Sequence, residues 1–185
     1  MGKRSDFKRV ERDFYPTPFR AVEPLFKFME NSGYSKLIFA EPCAGDNALV
    51  EHLETCDYLE CGYKSDIEPN HKKIIKKDIF DLKRSDVKHC DIIITNPPWD
   101  RKLLHAMIDH LATLKLPFVL LFDADWPHTK QSIPHMKHLE FIIPVGRLKW
   151  IPDSPHTGKD NCCWYWFDPE HNSEITGTYF LQRTK

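Results

Sequence analysis

The stretch DIIITNPPWD, Asp91 to Asp100, joins a buried-type run to a rigid, polar and aromatic tip. Three consecutive isoleucines leave no polar face. They predict a strand covered on both sides, as in the parallel sheet of an α/β protein. The strand does not explain its own ending, which holds an asparagine, two prolines and a tryptophan. A stiff Pro-Pro turn with Trp99 as a core aromatic is one account. A site that needs an amide, a rigid turn and a flat ring at a sheet edge is the other.

Outward from this stretch, short apolar runs alternate with segments of helical spacing, the mark of a strand–helix–strand sheet. KLIFAEP (36–42), YLECGYKSDIEP (58–69) and LPFVLLFDADW (116–126) read as further strands. TPFRAVEPLFKFMENSG (17–33) reads as a helix capped by Thr17, with Pro18 in its first position and Gly33 at its end. Its predicted apolar face is Phe19, Val22, Phe26 and Met29. DNALVEHLETC (46–56) and RKLLHAMIDHLATLK (101–115) read as helices that follow strands. LEFIIPVGRLKWI and NCCWYWFD, joined by the loop PDSPHTGKD (152–160), read as a long hairpin. The expected fold is a mostly parallel α/β sheet of four or five strands, closed by a C-terminal antiparallel hairpin, with helices on both faces. One domain over residues 1–185 is expected, with no repeat and no separate target-recognition domain.

Composition narrows the class. At 185 residues, 41% hydrophobic and 29% charged, the chain can bury one substantial core and is too apolar for a disordered one. No apolar run approaches the roughly 20 residues of a membrane span. MGKRSDFKRVERDF lacks the apolar centre of a secretory signal, so a soluble cytoplasmic protein with no membrane partner is expected. A net charge of −1 gives no global signature of polyanion binding. Two basic clusters exist, Lys3, Arg4, Lys8, Arg9 and Arg12, then Lys72, Lys73, Lys76 and Lys77; each reads first as a solvated face, with a polyanion contact second. The six cysteines form no CxxC pair, so no metal site is predicted.

Open parallel sheets bind ligands at the carboxyl ends of their strands. Four segments bear chemistry there. In AEPCAGDNAL, Glu41 ends a strand and Pro42, Cys43, Ala44 and Gly45 form the turn into a helix. Small residues let a ligand approach backbone amides, although the phosphate-binding glycine spacing is absent. An acid before the turn favours a cationic ligand group over a phosphate. In KSDIEP, Asp66 stands some twenty residues beyond the glycine, where an acid can accept both hydroxyls of a ribose or simply cap a helix. In KKDIFDL, Asp78 with Ile79 and Phe80 behind it could meet an adenine's amino group and face, or form a solvated turn. The fourth is Asn96, Pro97, Pro98 and Trp99.

In this order the segments resemble the S-adenosylmethionine-dependent amino-group methyltransferases of DNA, in particular the short phage-type and Dam-like adenine methyltransferases. The resemblance runs from DFYPTP through EPCAGD, SDIEP and NPPW to GRLKW. It implies S-adenosyl-L-methionine as cofactor and DNA, or else RNA, as partner. Tyr15 and Thr17 would hold the methionine end; Glu41 to Gly45 would line methionine and ribose, with Glu41 facing the ammonium. Asp66 would take the ribose hydroxyls and Asp78 the adenine amino group, with Ile67 and Ile79 covering its ring. Many relatives have a second glycine where this chain has Asn47, and asparagine tolerates the positive φ such a turn needs. Arg147 and Lys149 are candidate phosphate contacts, and the loop 152–160 and the segment 123–136 are candidate recognition elements. Alternative readings are methylation of an RNA adenine or a protein glutamine amide, or a non-catalytic partner subunit with the same fold.

The chemistry fits the tip. An adenine's exocyclic nitrogen is a poor nucleophile because its lone pair is delocalised into the ring. Two acceptors, the Asn96 side-chain oxygen and the Pro97 carbonyl, would favour a more tetrahedral nitrogen. Trp99 would stack on a base taken out of the duplex.

Overall fold

Side chains that pack well on a pleated surface, β-branched and aromatic, crowd the segments that form strands. The computed structural model describes residues 15–151 and 157–170 and the backbone of Gly177–Thr178. Five strands run parallel: β1 (Leu37–Glu41), β2 (Leu59–Asp66), β3 (Ile75–Lys76), β4 (Ile92–Thr95) and β5 (Phe118–Asp123). With β6 (Leu139–Arg147), β7 (Asn161–Phe167) and the two-residue β8 (Gly177–Thr178) they form an eight-stranded sheet of order β3-β2-β1-β4-β5-β7-β6-β8. β7 is antiparallel to both of its neighbours, so β6 points the same way as β5. The expected mixed sheet is observed, and the hairpin's second strand lies between β5 and the first.

Strand alternation divides the core in two. Ile92 and Ile94 face one side of the sheet with Phe39, Val119 and Leu121, where α1 (Glu23–Asn31) and α2 (Ala48–Leu53) pack. Ile93 faces the other side with Phe118, Leu120 and Phe122, under α3 (Arg101–Thr113). The isoleucine run is therefore covered on both faces, as its lack of a polar side required. α3 starts where the Asp100 carboxylate accepts the Leu103 amide at 3.0 Å. Its buried residues Leu104, Met107, Ile108 and Leu111 recur at helical spacing. Truncating Leu104, which is fully buried, would cost about 2–5 kcal/mol.

The first helix departs from expectation. Phe19–Ala21 form a single 3-10 turn, and α1 begins only at Glu23, with Pro24 in its first turn. Pro24 can occupy that position, where a helix leaves its amides unbonded, but not the middle of a longer helix. The buried face is accordingly Leu25, Phe28 and Met29 with Ala21 and Val22, while Phe19 is 45% exposed. Thr17 caps nothing; its hydroxyl is used elsewhere. Gly33 does end the helix. At φ +71° its amide reaches Glu30 O at 3.1 Å and the Tyr34 amide reaches Met29 O at 3.1 Å, the paired bonds of a Schellman motif.

Among the described residues no helix is long and apolar enough to cross a membrane. Lys3, Arg4, Lys8, Arg9 and Arg12, and residues 152–156 of the long loop, lie outside the described residues. Of the second basic cluster, Lys72, Lys73 and Lys76 are exposed, whereas Lys77 pairs with Asp86 at 2.6 Å.

Candidate active site

β1 lies between β2 and β4, so the chain leaves it in opposite directions on its two sides. A crevice forms at such a reversal, beyond the carboxyl ends of the strands. Here it is an open cleft of about 500 Å³, its mouth included, lined by Tyr15, Pro16, Thr17, Cys43, Ala44, Gly45, Asp46, Leu49, Asp66, Asn96 and Pro98. Three of the four chemistry-bearing segments and the YPTP stretch thus meet in one place.

The turn after β1 is built by two left-handed residues, Gly45 at φ +50° and Asn47 at φ +81°. Asparagine does take the left-handed position that the turn requires. It is fastened there, because Lys64 Nζ donates to Asn47 Oδ1 at 2.8 Å and Asn47 Nδ2 donates to Glu51 at 3.0 Å. The turn is also tied to β2: the Gly45 amide donates to Asp66 Oδ2 at 2.9 Å and the Ala44 amide to Ser65 O at 2.9 Å. Asp66 Oδ1 accepts the Glu68 amide at 2.7 Å, so the carboxylate is held in a fixed orientation at the cleft wall.

Glu41 ends β1 behind this turn and is fully buried. Its Oε1 accepts the Thr95 hydroxyl at 2.6 Å and the Cys43 amide at 3.2 Å, while its Oε2 is buried without a partner. Loss of water pushes the Glu41 carboxyl up to about 8, against the lowering effect of those two bonds. Burial also pushes the Cys43 thiol well up, with Glu41 adding to the effect, so the thiol stays protonated and is no nucleophile. Pro42 is buried in the same layer.

At the end of β4, Asn96 Nδ2 donates to Thr17 Oγ1 at 3.1 Å. Trp99 Nε1 donates to Leu121 O at 3.1 Å and, more weakly, to Asn96 Oδ1 at 3.3 Å. Pro97 is buried beneath this tip. Trp99 itself is half-buried, packs against both halves of the core, and meets Trp150 edge-on, with ring centroids 5.5 Å apart at 88°. It does not line the cleft, so its indole acts as an anchor of the tip.

The remaining candidates are not gathered there. Asp78 caps a 3-10 turn by accepting the Phe80 amide at 3.0 Å. Ile79 is withdrawn into the core under α3, and Ile67 is 53% exposed. Arg147 and Lys149 stand exposed at the end of β6, away from the cleft lining. The sequence reading missed Thr95, Pro16, Asp46 and Leu49. For Thr95 a signal existed: a hydroxyl closing an all-isoleucine strand has no solvent to meet and must find a buried partner.

No protein-family model and no curated protein matches the sequence. Solved structures do. A Listeria monocytogenes protein assigned as a class I S-adenosylmethionine-dependent methyltransferase superposes with a TM-score of 0.61 at 10% identity, covering 95% of this chain and 68% of its own. The E. cuniculi Mtq2–Trm112 complex, responsible for methylating the termination factor eRF1, gives 0.53 at 11% identity, covering 83% and 98%. A Pyrococcus horikoshii protein assigned as an RNA methyltransferase gives 0.50 at 16%, covering 88% and 91%. The chain has the class I methyltransferase fold. At such identities the likeness concerns architecture. The cofactor that this methyltransferase fold implies is S-adenosylmethionine.

Proposed function

We propose that the protein is an S-adenosylmethionine-dependent methyltransferase acting on the exocyclic amino group of adenine in DNA. The observation that carries the reading is the Asn96 carboxamide, which closes β4 and lines the same cleft as the Gly45 turn and Asp66. The cleft suits that cofactor. Glu41 stands behind the cleft wall and not in its lining; an ammonium group that reached its Oε2, which is unpartnered among the described residues, would favour its ionised form. Asp66 offers fixed carboxylate oxygens to a pair of hydroxyls. Tyr15 and Thr17 line the cleft as well, and Thr17 touches Asn96.

Bound S-adenosylmethionine would supply an electrophilic methyl group. The chain's own part is alignment, which can lower a barrier as much as chemical activation does. Asn96 Oδ1 and the Pro97 carbonyl would accept the two hydrogens of the amino group and so leave its lone pair free to react. The prolines keep that carbonyl fixed. No buried base is needed, because the added methyl leaves a cationic nitrogen that gives its proton to water. Trp99, with its N–H turned inward to Leu121, presents the tip as a rigid unit.

The same planar-nitrogen chemistry serves an RNA adenine or a glutamine amide. Tryptophan at position 99, where groups acting on those substrates commonly have tyrosine or phenylalanine, favours DNA. Transfer of a labelled methyl group to duplex DNA, single-stranded DNA, RNA and protein extract, followed by product identification, tests the reading. The expected product is N6-methyladenine in DNA. Label confined to protein would replace the reading with the amide alternative.

A further inference from the structure

Two groups at the tip, the Thr17 hydroxyl and the Asn96 carboxamide, face each other. A carboxamide can present either its oxygen or its nitrogen to a substrate, and only the oxygen accepts an amino hydrogen. We infer that Thr17 is a positioning residue that sets which way round the Asn96 carboxamide sits, an inference resting on the function proposed above. Thr17 is 5% exposed, and its Oγ1 receives Asn96 Nδ2 at 3.1 Å. Occupied in that way, the amide nitrogen is turned to the threonine and the oxygen is left on the other side. There the oxygen meets only the long bond from Trp99 Nε1, which already has Leu121 O at 3.1 Å. Asn96 Oδ1 therefore keeps acceptor capacity for a substrate.

The surrounding sequence fits this task. Thr17 lies between Pro16 and Pro18, and a residue before proline is confined to extended backbone. Just beyond, Ala21 and Val22 are fully buried and Ala21 O accepts Trp164 Nε1 at 2.7 Å. A short stiff segment anchored in the core thus delivers one hydroxyl across a separation of 79 residues to the end of β4. The hydroxyl has one proton and two lone pairs. If that proton were given to Asn96 Oδ1, the amide would turn and present its N–H groups.

Thr17→Val, which keeps shape and removes the hydroxyl, and Thr17→Ser, which keeps the hydroxyl, test the inference. The first readout is heteronuclear NMR of the Asn96 side-chain amide in the cofactor-free protein, which needs no activity. Its signals should be unchanged in Thr17→Ser and moved in Thr17→Val; an unmoved amide in Thr17→Val overturns the inference. The second is methyl transfer to mixed-sequence duplex DNA at saturating cofactor. Turnover should fall about ten- to a hundredfold in Thr17→Val, as for a misplaced reacting group, and stay near parental in Thr17→Ser. On an Asn96→Ala background, Thr17→Val should cost nothing further, whereas a purely cofactor-binding role would leave saturated turnover unchanged in both backgrounds, raise only the cofactor's KM, and overturn the inference. If Thr17→Val fails to fold, Thr17→Ala takes its place, and failure of both to fold makes the hydroxyl structural and likewise overturns it. An amide that moves in a protein that never methylates DNA refutes the proposed function and leaves Thr17 as the positioner of Asn96.

Discussion

Glu41 makes folding itself pH-dependent, and replacing it with glutamine should abolish that dependence. In the unfolded chain its carboxyl titrates near 4.5, and in the folded protein burial raises it to about 8. Between those values the folded state holds one more proton than the unfolded state. The contribution is fully present below 4.5 and is lost as pH rises through 8. The whole gap corresponds to about 5 kcal/mol, and about 3 kcal/mol of it falls between about pH 5.5 and 8. With a urea m-value of about 2 kcal/mol/M, the denaturation midpoint should drop by about 1.5 M across that window. Glu41→Gln keeps the acceptor for the Thr95 hydroxyl and the Cys43 amide but cannot ionise. Its midpoint should lack this slope, so the two stability curves run together at low pH and separate as pH rises towards 8. Equilibrium urea titrations followed by tryptophan fluorescence make the comparison. Parallel curves for parent and Glu41→Gln would refute the assignment of a protonated carboxyl to this site. The same raised group predicts that binding S-adenosylmethionine at pH 7 expels a proton, visible as a buffer-dependent binding enthalpy in calorimetry.

Asp66→Ala should weaken S-adenosylmethionine binding by about 1–3 kcal/mol in calorimetry through lost charged hydrogen bonds, and Asp66→Asn by less. Because Asp66 also holds the Gly45 amide, the alanine variant should show faster hydrogen exchange in the 42–47 turn. Asn47→Ala must hold a left-handed backbone without the bonds to Lys64 and Glu51, so chemical denaturation should show a loss of about 1–2 kcal/mol or more; Asn47→Gly should lose less. Trp99→Phe keeps a ring but removes the bonds to Leu121 and Asn96, so turnover should fall while melting changes little, whereas Trp99→Ala should cost about 3–5 kcal/mol of stability as well.

Much of the architecture was written in local pattern. The isoleucine run could belong only to a strand covered on both sides, and the spacing of Leu104, Ile108 and Leu111 could belong only to a helix with one buried face. The start of α1 was not legible in the same way. Thr17 followed by Pro18 is what a capped helix looks like; what overrides it is Pro24, which must stand in a first turn, and a bond to Thr17 from Asn96, 79 residues away. Long-range partners have no local signature. The cleft followed from a general rule, that acids, small residues and rigid turns at the carboxyl ends of parallel strands converge where the strand order reverses. Asp78 and Ile79 obeyed the same pattern yet went to a cap and to the core, because a short apolar run carries no mark of which side it will bury.

The insertion of β7 between β5 and β6 gives this molecule a natural place to change. Since β6 runs in the direction of β5, its end at Arg147 and the start of β7 at Asn161 emerge beside the end of β5 at Asp123. The base of the connection is clamped: the Gly158 amide reaches Leu148 O at 2.7 Å, and a Cβ on Gly158 would press against Trp150, which itself abuts Trp99. For a flexible insertion at that connection, doubling its length costs only about 0.6 kcal/mol. A peptide grafted between positions 151 and 157 would project from the same edge as Asn96 while leaving every strand pairing in place. Evolution, or an engineer, could thus rewrite which molecules are admitted to this edge by lengthening a single connection.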